Sequence, residues 1–296
     1  MGYERPRGID LHIHSSASDG TLAPAQILTR AGRQGLGAVS ITDHDTVAGC
    51  RQALAAPLPP GLHFLTGIEI SSQPPGEFNL PGSLHILGYG IDIADDDLLR
   101  AVEKLQEARR KRLPEMTARL RGLGIDISDA EIRRAVGSSQ PGRPHLASAL
   151  VQKGVAASID EAFDRYLGNG RPAYVPKYRL PWRQAIDVIR GAGGIAVLAH
   201  PGLIALPDGK ELEALVRHLA DAGLGGIECY YPRHSDRETR RCIDLAAGLD
   251  LAVTGGTDYH GAISPDLQLG SGPGGFYVPW ELYPALTARL SAGSAS

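Results

Sequence analysis

Two histidines, His12 and His14 in the stretch IDLHIHSSASDG, close the first apolar run of the chain, and Asp19 follows five residues later. Side chains at i and i+2 of a strand point to the same side, so both imidazoles can enter one space. That is chelate spacing, and the same residue types recur at later apolar runs. His44 follows AVSITD, Glu69 ends FLTGIE, His85 lies in LHILGYG, His200 follows IAVLA, and Asp258 and His260 follow LAVTGGT. Six of the ten histidines stand at such positions, and with the three acids they exceed what one tetrahedral ion takes, so two or three ions are expected. Mixed imidazole and carboxylate donors favour Mn²⁺, Fe²⁺ or Zn²⁺ over oxygen-preferring Mg²⁺ and thiolate-selected ions; Mn²⁺ is the expected ion, with Fe²⁺ or Zn²⁺ as alternatives. Such a centre lowers the pKa of a bound water and clamps phosphoryl oxygens during in-line displacement. Phosphoester hydrolysis is the natural chemistry, and amide hydrolysis its rival.

Converging these residues requires a scaffold whose strand ends meet. Short β-branched runs at Gly8–Ile13, Gly37–Thr42, His63–Ile70, Leu84–Tyr89, Gly194–Ala199, Gly226–Cys229 and Leu251–Thr254 alternate with helical patterns. The helices are expected at Ala23–Arg33, Thr46–Ala55, Trp182–Arg190, Glu211–Ala222, Asp236–Ala247 and Glu281–Leu290. This βα alternation predicts an α/β fold built as a seven-stranded (β/α) barrel, in which the carboxyl ends of parallel strands share one face. Between residues 96 and 178 the alternation gives way to basic helical sequence, EKLQEARRKRLPEMTARLRGLG, ISDAEIRRAVG, RPHLASALVQKG and SIDEAFDRYLG. Residues 1–95 and 179–296 are therefore expected to form the barrel and 96–178 an inserted helical cap, placed over the site if the fourth strand ends at the catalytic face.

A net charge of −3 gives no general attraction to nucleic acid or an anionic membrane, so phosphate recognition has to be local. Candidate phosphate-binding residues are Arg143 and His145 in GRPH, Arg171 and Lys177 in GNGRPAYVPKY, and Arg233 and His234 in YYPRHSD. His63, at a strand start, and His218, in a helix, are set aside as structural. Cys50, Cys229 and Cys242 show no CxxC spacing, which suggests a reduced, cytoplasmic protein. No window approaches the apolar length of a membrane span, and no obligate protein partner is evident.

HIHSSASDGT, ITDHDT, Gly67–Glu69, LAHPG and GGTDYHG resemble, in order, the motifs of the polymerase and histidinol phosphatase (PHP) family. The resemblance implies a distorted (β/α)7 barrel with a two- or three-metal centre. It implies that His12, His14, Glu69 and Asp258 hold one ion, that Glu69, His85 and His200 hold a second with Glu69 bridging, and that Asp19, His44 and His260 hold the third. His12, His14, Asp19, His44, Glu69, Asp258 and His260 would then be the catalytic set, with Asp43 and Asp45 supporting or capping. The GRPH and YVPK segments resemble a branch acting on nucleoside 3′,5′-bisphosphates or, as 5′-to-3′ exonucleases, on short oligonucleotides. The expected substrate is a small nucleotide carrying a 3′-phosphate, with Tyr89 or Tyr178 stacking on its base; histidinol phosphate and short RNA or DNA are the alternatives.

Overall fold

A computed structural model describes residues 8–128, 130–132, 142–207, 211–263 and 266–293; much of ISDAEIRRAVG lies outside them. The first half of the chain runs β1 (Ile9–Ile13), α1 (Pro24–Gln34), β2 (Ala38–Ile41), α2 (Ala48–Leu54), β3 (His63–Gln73) and β4 (Leu84–Tyr89). Helix α3 (Asp96–Gly122) follows, then α4 (Arg143–Gln152), α5 (Ile159–Ala162) and a π-helical turn (Phe163–Leu167). The chain then runs β5 (Leu180–Pro181), α6 (Trp182–Gly191), β6 (Ile195–Leu198), α7 (Leu212–Ala220), β7 (Gly226–Tyr230), α8 (Asp236–Gly248), β8 (Ala252–Gly255) and α9 (Leu282–Gly293).

The sheet order is β1-β2-β3-β4-β6-β7-β8, with β5 paired to β3. Every residue of β1 and β2 is buried, as expected of parallel strands covered on both faces, where apolar runs replace alternation. α1 lays Ile27, Leu28 and Ala31 against Ile13, Val39 and Ile41, and Gly35, at φ 73°, ends it in the left-handed conformation that glycine adopts freely. The sheet curls until β1 meets the segment after β8: Ile13 bridges Tyr259, and His14 N donates to Tyr259 O at 2.9 Å. The architecture is the distorted barrel expected, with two departures from an all-parallel one.

The first departure is β4, which runs antiparallel to both β3 and β6. Its beginning, with Ser71 opposite His85, lies where the neighbouring strands end; its own end, Tyr89, lies at the far side, opposite Gly67 and Ile195. The fourth strand therefore does not end at the face where β1, β2 and β3 end. Tyr89 is fully buried in the core, so it cannot stack on a base. The second departure is β5, two residues paired in parallel with Ser72 and Gln73 at the carboxyl end of β3.

Contacts divide the chain into one unit of residues 1–102 and 179–296 and another of residues 103–178. The start of α3, with Leu98, Ala101 and Val102 buried, belongs to the first unit, so the boundary falls seven residues later than the break in sequence pattern suggests. The second unit has its own core, in which Met116, Leu120, Leu146, Leu150 and Leu167 are fully buried.

Candidate metal centre

β1 delivers His12 and His14 as a pair whose Nε2 atoms lie 3.2 Å apart. The loop after them folds back so that Asp19 comes within 3.6 Å of His14 Nδ1. A side chain at Gly20 would strike the carbonyl of His14, so this return requires glycine. Asp43 fastens the same loop, accepting from Ser15 N at 2.7 Å, Ser15 Oγ at 2.6 Å and Ser18 Oγ at 2.7 Å. Asp43 thus supports the loop, and Asp45 does the same for β3 by accepting from Ser71 N.

Glu69, fully buried near the middle of β3, is the hub. Its Oε2 lies 3.2 Å from His14 Nε2, 2.8 Å from His44 Nδ1 and 3.5 Å from His12 Nε2. Its Oε1 lies 2.8 Å from His85 Nδ1 and 3.2 Å from His200 Nε2. His85 reaches this end of the barrel because β4 is reversed and His85 stands near its start. Asp258 Oδ1 approaches His14 Nε2 at 3.1 Å, His12 Nε2 at 3.4 Å and His260 Nδ1 at 3.5 Å. Asp19 completes the ring, within 3.4 Å of His260 Nε2 and 3.8 Å of His44 Nε2. All nine expected ligands therefore meet in one cluster.

The charges are strongly coupled. Burial alone would raise the carboxyl pKa of Glu69, but His44, His85 and His12 hold it well below the usual range. Burial is likewise overcome at Asp258 by His12 and His14, and at Asp19 by His260, His44 and His14. Burial opposes protonation of His14, yet Asp258 and Glu69 push its pKa up to about 10. At His44 burial prevails over Glu69 and the pKa falls.

The donor set fits divalent ions. His14 Nδ1, His44 Nδ1 and Glu69 Oε2 are buried and make no well-aligned hydrogen bond, although Glu69 Oε2 and His44 Nδ1 are only 2.8 Å apart; that is costly for polar atoms in an interior unless something else binds them. Three groups have their donor atoms within 4.8 Å of one another: His14, Asp19, His44 and His260; His12, His14 and Glu69; and His44, Glu69 and His85. Among the described residues His14, His44 and Glu69 are thus each shared between two groups, a finer overlap than the family pattern implies.

The centre opens into a cavity of about 450 Å³ lined by Asp19, His44, Glu69, His85, His200, Asp258 and His260, with Leu203, Tyr231, Arg233, Ile263 and Leu267. Arg233 thus stands in the wall of the same cavity as seven of the cluster's residues. His234 has both ring nitrogens engaged: Nδ1 bonds Cys229 O and Nε2 accepts from Gly202 N, both at 3.0 Å, bracing the turn after β6. Arg143, His145, Arg171 and Lys177 belong to the second unit. There Arg143 lies over the rings of Phe163 and Tyr174 at 5.7 Å each, and His145 Nδ1 accepts from Gly142 N at 3.0 Å.

Three residues had no place in the sequence-based site. Glu228, fully buried in β7, bonds His12 Nδ1 at 2.8 Å and accepts from His200 N at 2.7 Å. Asp10, buried in β1, accepts from Thr257 N and Oγ1 and from Gly270 N, fixing the loop that carries Asp258. Tyr231 donates its hydroxyl to Asp258 Oδ2 at 3.0 Å. The signal for the two acids was an unpartnered carboxylate inside an apolar strand, IDLHI and GIECY.

Known proteins agree with this geometry. The PHP domain matches residues 10–130. A 3′,5′-nucleoside bisphosphate phosphatase of Chromobacterium violaceum is 34% identical over 254 residues, 85% of this chain and 87% of its own. A 5′-3′ exoribonuclease Rnm of Salmonella typhimurium is 34% identical over 280 residues, 92% of this chain and 93% of its own. A solved structure from Bifidobacterium adolescentis, assigned to the metal-dependent phosphoesterases, superposes with a TM-score of 0.73 at 29% identity, covering 97% of this chain and 98% of that one. With its motifs gathered at one end of a distorted barrel, the chain belongs to the PHP family of metal-dependent phosphoesterases.

Proposed function

We propose that the protein removes the 3′-phosphate of nucleoside 3′,5′-bisphosphates, yielding a nucleoside 5′-monophosphate and inorganic phosphate. The observation that carries this reading is Arg233 in the wall of a cavity that is also lined by seven of the nine cluster residues. One phosphate has its place at the cluster, and a second, retained phosphate has a guanidinium partner at the same mouth. A relative named for this activity is 34% identical over 85% of the chain.

His12, His14, Asp19, His44, Glu69, His85, His200, Asp258 and His260 would hold two or three divalent ions, and we take Mn²⁺ first, with Fe²⁺ or Zn²⁺ compatible with the same donors. Bound ions would supply Lewis acidity and an activated water for in-line displacement. The chain's own work is positioning. Glu69 holds five imidazoles around one carboxylate, Asp10 and Tyr231 fix Asp258, and Arg233 neutralises the phosphate that stays. Arg143, His145, Arg171 and Lys177 remain candidates for contacts to the rest of the nucleotide. The described cysteines are buried and free, and we place the enzyme in the reducing cytoplasm.

A second reading, a 5′-to-3′ exonuclease on short RNA or DNA, is supported by the similarly close exoribonuclease relative. The test is product release from nucleoside 3′,5′-bisphosphates, histidinol phosphate and 5′-phosphorylated oligonucleotides, after chelation and after Mn²⁺ is restored. Phosphate release from bisphosphates with Mn²⁺ is expected. Intact bisphosphates beside shortened oligonucleotides would replace the first reading by the second, and activity indifferent to chelation would remove the metal mechanism.

A further inference from the structure

Strand β7 supplies none of the nine metal-competent side chains, yet it touches three of the residues that carry them. Glu228 Oε1 meets His12 Nδ1 at 2.8 Å, and its Oε2 accepts the backbone N–H of His200 at 2.7 Å. Just past the strand, the Tyr231 hydroxyl donates to Asp258 Oδ2 at 3.0 Å, leaving Oδ1 toward His12 and His14. Glu228 is wholly buried and Tyr231 is 5% exposed, so water does not substitute easily for either bond.

Two of these three partners have unusual backbones. His200 and Asp258 both have positive φ, 31° and 55°, a conformation that non-glycine residues keep only where their surroundings enforce it. Glu228 bonds directly to the strained amide of His200, and Tyr231 to the side chain of strained Asp258. At His12 the carboxylate accepts the Nδ1 proton, which selects the tautomer whose Nε2 lone pair faces Glu69 and Asp258. By contrast, the bonds of Glu228 and Tyr231 reach His12, His200 and Asp258 and not Asp19, His44 or His260.

We propose that β7 is a positioning strand: Glu228 and Tyr231 together set the geometry of His12, His200 and Asp258, and so control the ion or ions around Glu69 while leaving the Asp19, His44 and His260 site alone. The inference rests on the metal-centre assignment but not on the identity of the substrate.

The test is Mn²⁺ titration of metal-stripped protein, read by calorimetry and by the EPR signal of free Mn²⁺, for wild type, Glu228→Gln and Tyr231→Phe. Glu228→Gln keeps the shape but sets an amide N–H₂ against either the His12 Nδ1–H or the His200 N–H. At least one ion should bind about 10–100-fold more weakly, the usual loss when a partner of a metal-bound histidine is removed. Tyr231→Phe should weaken the same ion by a smaller factor, and the remaining sites should keep wild-type affinity. His260→Ala should weaken a different ion, so that combined with Glu228→Gln the losses add. Wild-type affinity and stoichiometry in both variants would overturn the proposal. So would equal weakening of every ion, which marks a general structural role. If Glu228→Gln does not fold, judged by thermal melting of the stripped protein, Tyr231→Phe carries the test alone. Substrate turnover does not enter these readouts, so the positioning role stands or falls separately from the bisphosphate reading.

Discussion

At the scale of single residues, the centre was legible wherever a donor followed an apolar run, because a strand end leaves few directions in which a side chain can point. His12, His14, His44, Glu69, His200, Asp258 and His260 were found in this way. Glu228 and Asp10 escaped because a carboxylate inside a strand has the same period whether it faces a metal, a backbone amide or solvent. At His234 spacing cannot show that both ring nitrogens are engaged, with Cys229 O and Gly202 N. The contrast between Glu69 and Arg233 gives a test at this scale. Glu69→Ala should lose bound metal and drop turnover below detection, since five imidazoles lose their common carboxylate. Arg233→Ala should keep its metal and kcat and raise KM roughly 10–100-fold, from about 1.5–3 kcal/mol for a charged hydrogen bond. Steady-state kinetics beside metal analysis separates the two, and an unchanged KM in Arg233→Ala would move recognition of the second phosphate elsewhere.

At the scale of elements, periodicity located the longer strands but was blind to their direction. LHILGY reads as a buried strand run either way, and only the position of His85 near its start hinted that β4 is reversed. β5 could not be read because two residues carry no period at all. α2 offers a prediction at this scale. Its Cys50 is packed between β2 and β3, its thiol directed at Ile41 O and Gly67 O at 3.1 Å each, and burial pushes its pKa up to about 12. Burial raises the Cys229 thiol as well. A thiol raised on folding keeps its proton in the native state while the unfolded chain loses it above pH 9. Stability is therefore full below pH 9 and falls as pH rises toward 12, by about 1.4 kcal/mol per pH unit for each such thiol. Urea unfolding between pH 8 and 10.5 should show this slope, and Cys50→Ser, which does not titrate there, should show a shallower one. Equal slopes in the two proteins would mean that Cys50 does not contribute.

At the scale of the whole molecule, composition concealed a division of charge. Residues 103–178 hold fourteen Lys and Arg against nine Asp and Glu, a net +5, which leaves −8 for the unit that carries the metal centre. A chain average of −3 says nothing of this, and a catalytic unit at −8 should repel phosphate on its own. Two or three divalent ions add roughly +4 to +6 to that unit, so metal loading serves attraction of the substrate as well as chemistry. It also serves stability, because ions held by ligands from β1, the loops after β2, β6 and β8, β3 and β4 bind the folded state and not the dispersed chain. An ion present at 100 times its Kd should stabilise by about 2.7 kcal/mol, which for a protein of this size is a melting-temperature shift of several degrees. Chelation should lower the melting temperature by at least that much, and Mn²⁺ should restore it. In Glu69→Ala the gap between the stripped and resupplied proteins should shrink, because the ligand common to two of the three donor groups is gone while the group of His14, Asp19, His44 and His260 remains. A wild-type melting temperature indifferent to chelation would mean that the nine side chains hold no ion under those conditions, and that hydrogen bonds among protonated histidines and carboxylates alone keep the cluster closed.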